Sequence, residues 1–345
     1  MPITTIYDTE SQFSWDRKST SYDFDGVIEF IGYVYDNGVS SISFYEFGTL
    51  SSIQITDAGA DGGIATVGGV FNWTSRGTNY DENGVMTGRG TLYDNGVLFT
   101  ELFNRYGWLD RTIMSDDQDA KIWSSIFTDY DFGVIQQRDV IYDNGLSVTT
   151  RYHDGKVAAV DRYDLGDVKN WTTQSDRFDA SGQREMIVTE FDTGVVHLEF
   201  WADGVKTNMF KADNGDVYNW TDKSSNFDVS GALTVEGITY DNGIVRLDFW
   251  ADGARTSIEQ RDTLDVKSWS EIVTTYDAAG LRDAKTTTFD SGIVRGEQWV
   301  DGQRASIEIQ DTLDVKNWLS TTTNFDATGA ISERVTVFDN GMERT

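Results

Sequence analysis

Along this chain polar and apolar residues change in short runs, and the same succession of runs follows each of seven tryptophans, Trp15, Trp73, Trp123, Trp171, Trp220, Trp269 and Trp318. First comes a small, polar run ending in Phe or Tyr, as in Asp16–Tyr22 and Thr172–Phe178. A turn with Asp first and Gly last follows, as in Asp179–Gly182 and Asp228–Gly231. A second run closes on aromatic-Asp-x-Gly in all seven copies, and the third is the most apolar, as in Val195–Trp201 and Ile244–Trp250. That third run turns into a charged fourth one, Ala254–Arg261 or Gln303–Gln310, and a longer loop leads back to the next Trp. No helical period appears, and runs of this length between Gly-containing turns are a strand signature. Each unit is predicted to be a four-stranded antiparallel meander.

The tryptophans are separated by 58, 50, 48, 49, 49 and 49 residues. A fixed period of this size marks a repeat architecture, and without linkers it predicts one repeat domain over 1–345. The third copy is one residue short at Asp131-Phe132-Gly133, and the first carries a Gly- and Ala-rich insertion, Asp57–Gly69, expected to be a surface loop. Asn-Gly at the second turn predicts a hairpin whose two central residues both have φ > 0. Apolar residues on both faces of the middle strands suggest a sheet covered on both sides, as when blades pack face to face. The polar first strand would then line a wet channel and the charged fourth strand an outer rim. The N-terminal residues 3–7 match a fourth strand, and the last unit stops after its third begins, so the two ends could complete one unit. The expected fold is all-β: seven repeats of about 49 residues forming a seven-bladed β-propeller. The alternative is an open or spirally wound ribbon of β-hairpins.

Charge and composition narrow the partners. Fifty-seven acids against 28 bases give a net charge of −29, which repels phosphate backbones and disfavours nucleic acid and anionic membranes. The same charge suits weak binding of divalent cations. Forty-five aromatics can build a core, whereas the absence of cysteine removes disulfides, thiolate metal sites and a cysteine nucleophile. No run is long enough for a transmembrane helix, and the start Met-Pro-Ile-Thr-Thr-Ile has no basic region or apolar core of a cleaved signal. The expected location is extracellular or at the cell surface by a route without such a signal, with a cytoplasmic one left open.

Two columns are candidates for chemistry. Thirty residues after the initiating Trp stands a second aromatic column, Tyr45, Phe103, His153, Trp201, Trp250 and Trp299. Its later members lie beside Asp203, Asp252 and Asp301, with Arg255 and Arg304 nearby. An indole ring stacks on sugar C–H faces while charged groups bond hydroxyls, so these eight residues are the candidate ligand site; shielding of the sheet edge is the competing structural role. The second column is an Asp-x-x-Asp pair, missing before Trp73 and halved to Asp8 and Ser11 before Trp15: Asp116 and Asp119, then Asp164 and Asp167, Asp213 and Asp216, Asp262 and Asp265, Asp311 and Asp314, of which the last four pairs are the candidate metal ligands. Such carboxylates could share a calcium ion. Equally, an Asp caps turns through backbone amides. With only two histidines, His153 and His197, in different units, catalytic material is sparse.

Stretches such as Tyr276-Asp-Ala-Ala-Gly280 resemble the YD-repeat family of secreted bacterial proteins, which build hollow β-shells, and the acidic, Asp/Gly-rich character is similar to RTX-associated repeats. The nine-residue G-G-x-G-x-D signature of true RTX calcium coils is missing, and the period exceeds the usual YD spacing. The resemblance implies a bacterial, exported repeat protein. Together these readings predict a non-catalytic, multivalent module binding a glycan or a protein surface, assisted by calcium. The alternatives are a structural or assembly segment, and a polysaccharide-active enzyme using a carboxylate pair.

Overall fold

A computed structural model describes residues 2–57 and 70–345. The insertion expected as a surface loop therefore lies, from residue 58 on, outside the described residues. The chain is all-β, with 28 strands among the described residues, all paired antiparallel. Each of the seven tryptophans opens a strand, as the spacing predicts. The fifth repeat is typical: Trp220–Phe227, Leu233–Tyr240, Ile244–Ala251 and Ala254–Asp262 follow one another as a meander. Two compact units divide the chain, residues 1–169 with 180–182, and residues 170–179 with 183–345.

Within each unit the four-stranded meanders do not separate into blades. The fourth strand of a repeat is laddered to the first strand of the next. Ser52↔Asn79 through Thr56↔Ser75 forms such a junction in the first unit, and Ser257↔Thr275 through Arg261↔Glu271 in the second. These strands would be free edges in separate blades. In the second unit the loop that joins them explains the pairing, because Asp262, which accepts the Lys267 amide, and left-handed Asp265 (φ 55°) reverse the chain as tightly as in a hairpin. Leaving backbone donors and acceptors unpaired would cost more than laddering two adjacent strands.

Two expectations about the ring change with this. The first strand, expected to line a wet channel, sits between two neighbours and buries polar side chains: Ser21 is 1% exposed, Thr128 7% and Ser225 6%. The strand Ile3–Tyr7 is laddered to Trp15–Tyr22, with Ile3 opposite Ser21. Among the described residues no ladder closes the sheet.

The turns also divide differently from expectation. At aromatic-Asp-Asn-Gly only the glycine has positive φ, +85° at Gly38 and +80° at Gly243, while the preceding Asn does not. The Asn carboxamide instead accepts the amide two residues on, Asn242 Oδ1 from Ile244 N at 3.1 Å. This is a longer turn ending in a left-handed glycine. The two-residue turn with both residues left-handed occurs one hairpin later, at Asp203 (φ 51°) and Gly204 (φ 78°) and its equivalents.

The sheet faces are only half covered. Among the described residues eight apolar side chains are buried, Trp73, Trp220 and Ile244 among them. On Trp73 and Trp220 an aromatic two positions earlier, Phe71 and Tyr218, stacks at 5.2 Å between centroids, as Phe13 does at 5.1 Å on Trp15, which stays half-buried. Arg76 and Lys223 lie over the Trp73 and Trp220 rings, each 4.6 Å from the centroid. Four other repeats hold lysine two positions before the Trp, and there the indole is half-buried.

Close backbone packing is concentrated where two loops cross. A Cβ on Gly215 would lie 1.9 Å from the Thr193 carbonyl oxygen, a backbone atom that cannot swing away. In the fifth repeat Leu264 holds the same position and packs against Gly243 instead. Gly215→Ala should therefore lose about 1–3 kcal/mol through overpacking, read as a lowered denaturation midpoint. An unchanged midpoint would mean that the loops separate freely.

Candidate functional site

The three later tryptophans of the second aromatic column, Trp201, Trp250 and Trp299, are half-buried on one sheet face, each two positions beyond an acid of its own strand. Strand alternation puts residues i and i+2 on one face, so Glu199, Asp248 and Glu297, not the turn aspartates, accompany the rings. Register adds the cations. Arg246 precedes Asp248 by two and reaches it with both Nε and Nη2, at 2.8 and 3.0 Å. Arg255 comes from the next strand, its Nε 3.2 Å from Asp248 Oδ1 as an ion pair, though not aligned for a hydrogen bond. The Asp248 side chain is only 4% exposed. Its hydrogen bond holds Arg246 above the usual guanidinium range, against the opposing effect of burial.

The sixth repeat has the same arrangement: Arg295 at 3.1 Å from Glu297 Oε1 and Arg304 at 3.1 Å from Oε2. In the fourth, His197 stands where the arginines do, and Lys206 holds Glu199 at 2.6 Å. Each ring is capped by a cation. Lys206 lies 5.3 Å from the Trp201 centroid, Arg255 4.9 Å from Trp250, and Arg282 4.9 Å from Trp299 with Arg304 at 5.8 Å. The indole N–H groups of Trp201 and Trp250 are buried without an acceptor.

Of the predicted ligand residues, the structure brings Trp201, Trp250, Trp299, Arg255 and Arg304 into these clusters. Asp203, Asp252 and Asp301 are exposed turn residues whose left-handed φ of 50–52° accounts for their type. Glu199, Asp248, Glu297 and Lys206 are not among the residues expected from the sequence, although the i−2 spacing of the three acids from each Trp, and the hairpin register for Lys206, point to them. In the third repeat the column member is Tyr152 and not His153: Tyr152, opposite Val157 after a bulge, matches Trp201 opposite Lys206. His153 is exposed at the turn, 3.6 Å from Asp154.

In the Asp-x-x-Asp loops the first carboxylate closes the loop on itself. Asp164, Asp213, Asp262 and Asp311 each accept the amide five residues on, Asp213 from Tyr218 at 2.6 Å and Asp262 from Lys267 at 2.5 Å. In Asp262 and Asp311 burial raises the acid's pKa, but these amides outweigh it and hold the group below the usual carboxylate range. The second members, Asp167, Asp216, Asp265 and Asp314, have φ of 52–55°, a conformation Asp tolerates better than most side chains. Burial, and then the charges of Asp265 and Asp262, push Asp290 up, and Asp339 beside Asp314 and Asp311 behaves alike. Among the described residues no three His, Cys, Asp or Glu side chains converge in a metal-binding arrangement.

A cavity of about 570 Å³ opens in the second unit under the aromatic-Asp-x-Gly turn of the fourth repeat, bounded by Phe191, Val195, His197, Lys211, Trp220 and Lys223. Burial lowers the His197 pKa below its usual value, and Lys211 adds to this while Glu199 opposes it. None of the protein-family models matches this chain, and the curated proteins contain no match to it.

Proposed function

We propose that this chain is a non-catalytic structural repeat segment, a ribbon of hairpins whose half-covered faces serve assembly with other chains. The observation that carries the reading is the laddering, within each unit, of a repeat's fourth strand to the next first strand. Continuous laddering inside a unit with few buried apolar side chains leaves both faces as contact surface, where separate blades would use theirs up against each other. It also favours the open ribbon over the closed seven-bladed ring. The acid, cation and tryptophan clusters support the same reading, since each acid's oxygens and one face of each ring are already occupied by the chain's own cations.

A glycan-binding module is the second reading. Its support is the threefold recurrence of Trp201, Trp250 and Trp299 beside charged groups, with two indole donors left unused. Calcium in the Asp-x-x-Asp loops would accompany it, displacing the amides that now hold the first carboxylates. Multi-angle light scattering over a concentration series separates the two, combined with a glycan array read with and without calcium. Assembly predicts a mass that grows with concentration and an array at background. A chain that stays monomeric throughout and binds glycans would overturn it.

A further inference from the structure

The cavity of the fourth repeat is an architectural feature of the repeat, but its chemistry is not. A related cavity of about 480 Å³ lies at the same place in the first repeat, bounded by Tyr35, Val39, Ser41, Ile55 and Trp73. The ladders make the positions equivalent: Ser41↔Ile55↔Arg76 in the first repeat and His197↔Lys211↔Lys223 in the fourth. The fifth repeat has Arg246↔Gln260↔Ile272, and the sixth Arg295↔Ile309↔Thr321. Only the fourth of these four rows places three basic side chains on adjacent strands.

Like charges directly opposite on neighbouring strands are destabilising, so this row costs stability unless something offsets it. In the fifth and sixth repeats the single arginine is matched by its acid. In the fourth the equivalent acid, Glu199, is taken by Lys206 at 2.6 Å, and the buried Nε2 of His197, 3.6 Å from the same carboxylate, is within ion-pair range but has no hydrogen-bond partner. Lys211 and Lys223 form no ion pair among the described residues; Lys223 lies over the Trp220 ring. In a chain of net charge −29, two lysines with no ion pair among the described residues and a histidine with no hydrogen-bond partner at Nε2 converge on one cavity, with Asp192 at its margin as the one acid lining it. The remaining wall is apolar, from Phe191, Val195 and Trp220.

We infer that this cavity binds a small organic oxyanion, its charged head against His197, Lys211 and Lys223 and its apolar body against Phe191 and Val195. The volume suits a small-molecule ligand. A phosphate or carboxylate head takes charge-assisted hydrogen bonds from lysine ammonium and imidazole donors. The site is single, set in one repeat, and independent of whether the chain assembles.

The chain has two histidines, so imidazole NMR reports the cavity directly and His153 serves as an internal control. Phenyl phosphate, inorganic phosphate and benzoate are titrated, with neutral benzyl alcohol for comparison. Saturable movement of the His197 signals with the anions and not with the alcohol is expected, with His153 unmoved. Benzoate against the two phosphates tells which head is preferred. Lys211→Gln with Lys223→Ile gives the fourth repeat the residues of the fifth, and should weaken phenyl phosphate roughly tenfold or more. The inference is overturned if no anion moves His197, if benzyl alcohol moves it as well, or if the double variant binds as tightly as the parent.

Discussion

Trp220→Ala should lose about 3–5 kcal/mol of stability, as expected for deleting a buried tryptophan. Trp220 is 6% exposed, with Tyr218 stacked on its ring and Lys223 over it, so its removal leaves two side chains without their packing partner. Trp250→Ala should cost clearly less, because that ring is half-exposed and its main contact is the Arg255 guanidinium. Neighbouring repeats of such a chain are stabilised mainly by one another. Amide hydrogen exchange should therefore rise first in the strands flanking Trp220, Val205–Asp213 and Leu233–Tyr240. Equal losses at the two sites in chemical denaturation would mean that initiating and second-column tryptophans do the same work.

Asp248→Ala is the second large effect. The carboxylate is almost fully buried between Arg246 and Arg255, whose side chains are 30% and 36% exposed. Removing one member of a buried ion pair costs about 3–5 kcal/mol. The arginines reach solvent, which screens part of that loss, so about 2–3 kcal/mol is expected. The loss should shrink when Arg246 is also replaced by Gln, because less charge is then left uncompensated, and a double-mutant cycle reads this directly. Strictly additive losses would show that the two groups, although 2.8 Å apart, do not interact energetically.

These effects bear on function through occupancy. The Trp250 cluster is closed by its own charges, whereas in the fourth repeat the equivalent acid, Glu199, is engaged by Lys206 and leaves Lys211 and Lys223 at the cavity without an acid partner among the described residues. A repeat protein acquires a distinct site most simply by such a local departure. Relative to the fifth and sixth repeats, His197 takes the place of an arginine, and Lys211 and Lys223 replace neutral side chains.

Much of the architecture was legible in the chain. Turn chemistry depends on residues next to one another: aspartate capping amides, glycine accepting positive φ. Hence each Trp opens a strand, and the meander and the shortened third repeat at Asp131-Phe132-Gly133 appear where the spacing puts them. The capping role of Asp213 and Asp262 was legible for the same reason. Pairing between successive repeats was not, because an apolar strand looks the same whether its edge is laddered or packed against a blade. Cross-strand partners depend on register, which a single bulge shifts, and this misassigned Tyr152 and hid Glu199, Asp248 and Glu297 behind the more conspicuous turn aspartates. The sequence alone determined the strands, their turns and their period, since these follow from local backbone preferences. Only the tertiary structure decided which strands adjoin and which charges meet, because those depend on residues such as His197, Lys211 and Lys223, 14 and 12 positions apart, coming into one row.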